Sequence, residues 1–107
     1  MNIKKNDAEK QIKNLFNLFN IANYDLVITK GKKIIKIYPE YVILYNILGS
    51  AYLNIGKFIL AKEILQKGLK LDSNNIALMN NLANTFKNLG NIESAEKLYL
   101  KIIKKKT

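Results

Sequence analysis

A 34-residue internal period is the feature that most constrains this chain. The stretch from Tyr45 to Ala61, YNILGSAYLNIGKFILA, returns 34 residues later with Gly56 on Gly90, Ala61 on Ala95, Tyr52 on Phe86 and Leu48 on Leu82. Phe58 and Ile55 likewise fall on Ile92 and Leu89. Within the stretch, small residues alternate with bulky apolar ones. On two helices joined by a turn at Gly56-Lys57, Gly49 and Ala61 stand where helix backbones must approach closely. The bulky neighbours fill the space on either side.

A period of this length built from helix–turn–helix units resembles the tetratricopeptide repeat family. Its pattern is an aromatic, Leu-Gly, Tyr, a turn Gly, Ala, an aromatic and finally Pro. The middle copy, residues 42–75, meets it with Tyr45, Leu48-Gly49, Tyr52, Gly56, Ala61 and Leu69, and departs at Leu65 and Ser73. The third copy, residues 76–107, carries Met79, Leu82-Ala83, Phe86, Gly90, Ala95 and Tyr99. The first, residues 8–41, is the most worn. Leu15 stands where Gly is usual, Ala22 replaces the turn Gly and Val27 replaces Ala, while Tyr24 and Pro39 remain. The resemblance implies an all-α fold: a right-handed α-solenoid of three helix–turn–helix repeats, six helices in all. A polar leader, residues 1–7, precedes a single repeat domain over residues 8–107.

At 107 residues the chain is long enough to bury roughly 65% of the surface its unfolded form exposes. It has no cysteine, hence no disulfide framework and no thiolate nucleophile. It has no histidine either, which removes the commonest general base and the commonest transition-metal ligand. Charges and Asn interrupt every apolar run well short of the roughly 18 residues that would span a bilayer. A soluble, cytoplasmic domain without metal or cofactor is the expectation. The net charge of +10 comes entirely from Lys, with no Arg, and Lys, Asn and Ile together supply 49 of the 107 residues. An AT-rich bacterial genome would produce that bias. Arg, the residue that makes bidentate contacts to guanine and phosphate, is missing, so nucleic acid is not the expected partner.

Helix signals follow the repeats. Asp7 is placed to cap a first helix over about 8–21, with Glu9 and Lys13 spaced as an ion pair. Ala22-Asn23 makes a turn, and Asn23 can cap a second helix over about 24–37, whose buried stripe is Leu26, Val27, Ile34 and Ile35. Gly31 costs that helix about 1 kcal/mol relative to Ala, so close packing against another backbone is expected there. Pro39 ends the repeat. Further helices are expected over about 42–55, 58–71, 76–89 and 92–104, with Asp72 to Asn75 offering caps and Glu63–Lys67 and Glu93–Lys97 as exposed pairs. Lys101 and Lys104 to Lys106 suit the last helix's C-terminus. No clear C-terminal capping helix follows KIIKKKT, so part of the Leu98, Ile102 and Ile103 surface is expected to lack a cover. A piece of a longer protein, docking on another copy and solubilisation by lysines alone are the explanations, the first favoured.

Nothing in the sequence assembles an active site. The eight carboxylates fall mostly in caps, first turns and lysine-paired positions, and no histidine can activate Ser50, Ser73 or Ser94. A non-enzyme is expected. The resemblance implies instead that the first helix of each repeat lines a concave groove that holds a protein segment. Taken with that resemblance, helical geometry places Glu9, Ile12, Lys13, Phe16 and Asn20 there from the first repeat. Ile43, Asn46, Ile47, Ser50 and Asn54 come from the second, and Ala77, Asn80, Asn81, Asn84, Lys87 and Asn88 from the third. Asn offers both donor and acceptor, so a row of amides can pair with an extended backbone whatever its side chains. With fifteen Asn in the chain, abundance alone would also place several on any surface. The family's carboxylate clamp is not matched, since Ile12, Phe16, Ile47 and Ala77 stand at its places and only Asn81 could serve in part.

The leading expectation is therefore an interaction module that binds an extended or helical protein segment in the groove. The alternative is the regulatory or substrate-presenting front end of a glycosyltransferase- or sulfotransferase-type enzyme. A third is electrostatic binding of an anionic surface or nucleic acid through Lys30, Lys32, Lys33, Lys36 and Lys104 to Lys106. Further domains of the same chain, or a second copy at the C-terminal end, are the remaining partner expectations.

Overall fold

Six helices account for the fold in a computed structural model that describes residues 2–106. They are α1 (Asn2–Asn20), α2 (Tyr24–Ile37), α3 (Val42–Asn54), α4 (Phe58–Leu71), α5 (Ile76–Asn88) and α6 (Ile92–Lys106). No strand occurs among the described residues. Consecutive helices pack as antiparallel hairpins, and α1 also touches α3 as α3 touches α5. The even-numbered helices stand apart, with no Cα of α2 within 8 Å of α4. The result is an α-solenoid with odd helices side by side on one face and even helices splayed on the other.

The three hairpin turns are copies of one another. Ala22, Gly56 and Gly90 lie at φ 61°, 78° and 82°, the left-handed region that glycine enters without strain. The residue after each closes the turn by donating to a carbonyl five back: Asn23 to Leu18 at 3.0 Å, Lys57 to Tyr52 at 2.9 Å and Asn91 to Phe86 at 2.8 Å. Such bonds satisfy carbonyls that a helix end leaves without partners. Ala22 thus holds a glycine's conformation at the most worn turn.

Packing between helices explains the pattern of small residues. A Cβ on Gly49 would stand 2.4 Å from Leu65 Cδ2, so α3 and α4 meet at their separation only because that side chain is absent. In the first repeat the partners are exchanged. Leu15 occupies the Gly49 place and Gly31 the Leu65 place, each shifted by 34. A Cβ on Gly31 would lie 3.5 Å from Leu15 and 3.0 Å from Leu48. Gly31 is therefore there to admit two leucine side chains rather than, as expected, another backbone. The third repeat uses Ala83 and Tyr99 at the same two places.

The core runs along α3, which buries Leu44, Tyr45, Ile47, Leu48, Gly49, Ala51 and Tyr52. Leu15, Val27, Ala61, Leu65 and Leu78 complete it at 1% exposure or less. Thr85 is the buried polar residue, and its hydroxyl donates to the Asn81 carbonyl at 2.7 Å. In α2, Val27 and Ile34 are buried, whereas Leu26 and Ile35 are half-buried.

Several terminal expectations change. α1 begins at Asn2 instead of near Ala8, so Asp7 lies inside the helix and does not cap it. Asp7 accepts hydrogen bonds from Gln11 at 2.7 Å and from the Tyr38 hydroxyl at 2.5 Å. With Ala8 fully buried, the early turns of α1 are docked on the end of α2. Asn23 precedes α2 without a side-chain cap, while Asn75 does cap α5, accepting from Leu78 N at 3.0 Å. Of the three expected ion pairs, Glu93–Lys97 closes, at 3.6 Å. At the C-terminal end Ile102 is buried and Leu98 half-buried by α5 and α6 themselves. The exposed apolar residues there are Leu100 and Ile103. Ile103 matches Leu69, which is half-buried where α5 follows α4.

Candidate functional site

The face formed by α1, α3 and α5 carries two chemically distinct halves. At the first repeat, Ile12, Phe16, Tyr41 and Ile43 line an open depression of about 460 Å³ with Glu9 and Lys13 on its rim. Phe16 and Ile43 are each 47% exposed and line the same depression, so they form a contiguous apolar patch and not isolated surface residues. Tyr41 was not legible as a site residue, because it stands outside the helical periodicity that selects one face of each helix. It occupies the N-cap of α3, the place that Asn75 takes before α5, and makes no cap. Its ring packs edge-on against Tyr38 with centroids 6.1 Å apart.

Toward the third repeat the surface becomes amide. Asn81 Nδ2 donates to Asn46 Oδ1 at 2.6 Å and to Ser50 Oγ at 3.0 Å, a three-residue network between α5 and α3. Both protons of that amide nitrogen are thereby engaged, leaving Asn81 Oδ1 and the Asn46 nitrogen to meet a ligand. Asn84 Oδ1 accepts from the Tyr99 hydroxyl at 2.7 Å, so this amide also ties α5 to α6. Asn54 donates to the Ser50 carbonyl and Asn88 to the Asn84 carbonyl, each at 2.8 Å.

Most of the expected groove residues stay accessible. Lys13, Asn20, Asn54, Asn80, Asn84, Lys87 and Asn88 are exposed, and Asn46, Ser50 and Asn81 are half-buried. Ile47 is the exception. It is 5% exposed and belongs to the core, because neighbouring helices cover that side of α3. Ala77 and Asn20 are exposed at the periphery. Among the described residues no group of His, Cys, Asp or Glu is arranged to hold a metal ion, and no helix is long and apolar enough to cross a membrane.

This arrangement of paired helices, glycine-type turns and a lined inner face defines a helical-repeat protein. Two models of the tetratricopeptide repeat match the chain, one over residues 42–75 and one over residues 64–97. The chain belongs to the tetratricopeptide repeat family. Over 60 residues, 56% of the chain, it is 38% identical to "Uncharacterized protein ycf37" of Porphyra purpurea and 33% identical to that of Pyropia yezoensis. The chain covers 35% and 34% of those relatives, about a third of their length. Among solved structures, the first repeat domain of Spaghetti (RPAP3) bound to HSP90 peptide SRMEEVD superimposes with a TM-score of 0.87 at 21% identity. That match covers 91% of this chain and 77% of the other. MamA from Desulfovibrio magneticus RS-1, residues 41 to the end, gives 0.83 at 20% identity, over 88% of this chain and 53% of the other. At such identities the likeness is one of fold.

Proposed function

We propose that the chain is a non-catalytic protein–protein interaction module that seats an extended or helical protein segment along the α1, α3 and α5 face. The observation that carries this reading is the 460 Å³ apolar depression at Ile12, Phe16, Tyr41 and Ile43, with Asn46 one turn beyond Ile43 on α3 and hydrogen-bonded to Asn81 of α5. An apolar anchor at one end and backbone-pairing amides at the other fit a segment with a few hydrophobic side chains on an otherwise undemanding sequence. The solved repeat domain in complex with SRMEEVD supports peptide binding as a use of this fold. The residues here differ from a carboxylate clamp, so SRMEEVD itself is expected to bind this chain weakly or not at all.

The test is retention of proteins from nuclease-treated host lysate at moderate salt. The native chain is compared with Phe16→Ser, Ile43→Ser, which alters exposed side chains and leaves interhelical hydrogen bonds intact. Proteins held by the native chain and lost from a variant of unchanged melting temperature support the groove. Asn81→Ala, Asn84→Ala serves less well, because these amides also join α5 to α3 and α6. Retention that vanishes with salt alone, or that occurs only when the nuclease is omitted, would assign binding to the lysines and remove the groove reading.

A further inference from the structure

The opposite face holds a second depression, and its chemistry differs from that of the groove. α2 and α4 stand apart there, and the gap of about 340 Å³ between them is floored by Leu48 and Tyr52 of α3. Ile35 on one side and Leu60 and Ile64 on the other form apolar walls. Leu60 is 42% exposed. Around the opening stand Lys32, Lys36 and Lys67, all exposed, against the single carboxylate of Glu63. Lys32 and Lys36 are one turn apart on α2, so both ammonium groups bear on the same opening.

The floor adds a donor. The Tyr52 hydroxyl makes no hydrogen bond with any described residue, and no buried side-chain oxygen among them lacks a partner, so this hydroxyl reaches solvent. The next gap along the solenoid has the same ancestry and different residues. Shifted by 34, Leu60 becomes Ser94, Tyr52 becomes Phe86 and Glu63 becomes Lys97. The apolar lip and the phenol are particular to the α2–α4 gap and are not imposed by the repeat.

We propose that the α2–α4 trough is a second docking surface, for an acidic protein segment that seats one bulky apolar side chain between the helices and sets carboxylates against Lys32, Lys36 and Lys67. Charge complementarity selects this occupant, since the rim carries three ammonium groups to one carboxylate. A second copy of the chain, itself at +10, is repelled. The site is independent of the groove, so one chain can hold two partners at once, on opposite faces.

The probe is a synthetic peptide with one Phe between two pairs of Glu, together with its Gln-for-Glu counterpart, titrated into the full isotopically labelled chain. Amide resonances of Lys32, Ile35, Leu60, Ile64 and Lys67 are expected to move, while those of Phe16, Asn46 and Asn80 stay fixed. The Gln peptide, and the Lys32→Glu, Lys36→Glu and Leu60→Ser variants, should each bind about tenfold more weakly or worse. Those three positions are exposed, and an unchanged helical spectrum keeps folding apart from binding. Shifts confined to α1, α3 and α5, equal binding of the Gln peptide, or indifference to the α2 charge reversals would overturn the proposal. So would binding to anionic lipid vesicles with none to the peptide.

Discussion

Leu15 and Gly31 show how a repeat can break its consensus and keep its packing. Helices of the first hairpin exchange the large and small members that Gly49 and Leu65 present in the second. Gly31→Leu alone should destabilise the fold by several kcal/mol, because Leu48 and Leu15 already fill that space; Leu15→Gly alone leaves a cavity worth about 2–5 kcal/mol. The double exchange should recover part of the loss. A coupling of about 1 kcal/mol or more in a denaturation cycle is the expected reading, and strict additivity would disprove the pairing. Tyr38 offers a test by pH. Its hydroxyl donates to Asp7, and that bond, with burial and the carboxylate's charge, raises its pKa above the usual tyrosine value. The folded state therefore keeps a proton that the unfolded state releases near about pH 10. The stability is complete below that value and is lost as pH climbs through the raised folded pKa. Tyr45 and Tyr52, raised chiefly by burial, decline alongside it. Melting temperatures between about pH 8 and about pH 11 should fall less steeply for Tyr38→Phe than for the native chain.

At the scale of helices and turns, much was legible because the signal is periodic. Gly56 and Gly90 mark turns because glycine enters the left-handed region without strain, and Asn75 marks a helix start by its side-chain acceptor. Asn75→Ala should cost about 1 kcal/mol by chemical denaturation, whereas Asn23→Ala, with no cap to lose, should cost little. Ala22→Gly is expected to raise stability by about 1 kcal/mol, since it relieves a left-handed alanine. What the sequence left unread depends on contacts between distant residues. The early turns of α1 are tied to the end of α2 by Tyr38 reaching Asp7, thirty-one positions away, and no local propensity announces that. Ile47 sits one residue from Asn46 on a helix covered from several sides. Helical periodicity could not say which of the two faces outward, nor could it find Tyr41 on a loop.

For the whole molecule, the excess of lysine is the dominant field. At +10 on 107 residues, self-repulsion opposes the compact state, so raising ionic strength from about 10 mM to about 300 mM should increase the melting temperature. A flat response would mean that the lysines are already spaced beyond mutual influence. Stability in such an array is a sum of each hairpin and its junction with the next, so it need not be shared evenly. The strained alanine at the first turn then acquires a kinetic meaning. Native-state hydrogen exchange should find the amides of α1 and α2 opening before those of α3 and α4. Phe16 and Ile12, which line the apolar depression, ride on that first hairpin. A partner seated there would slow its exchange, and the firmness of one end of the protein would report whether the groove is occupied.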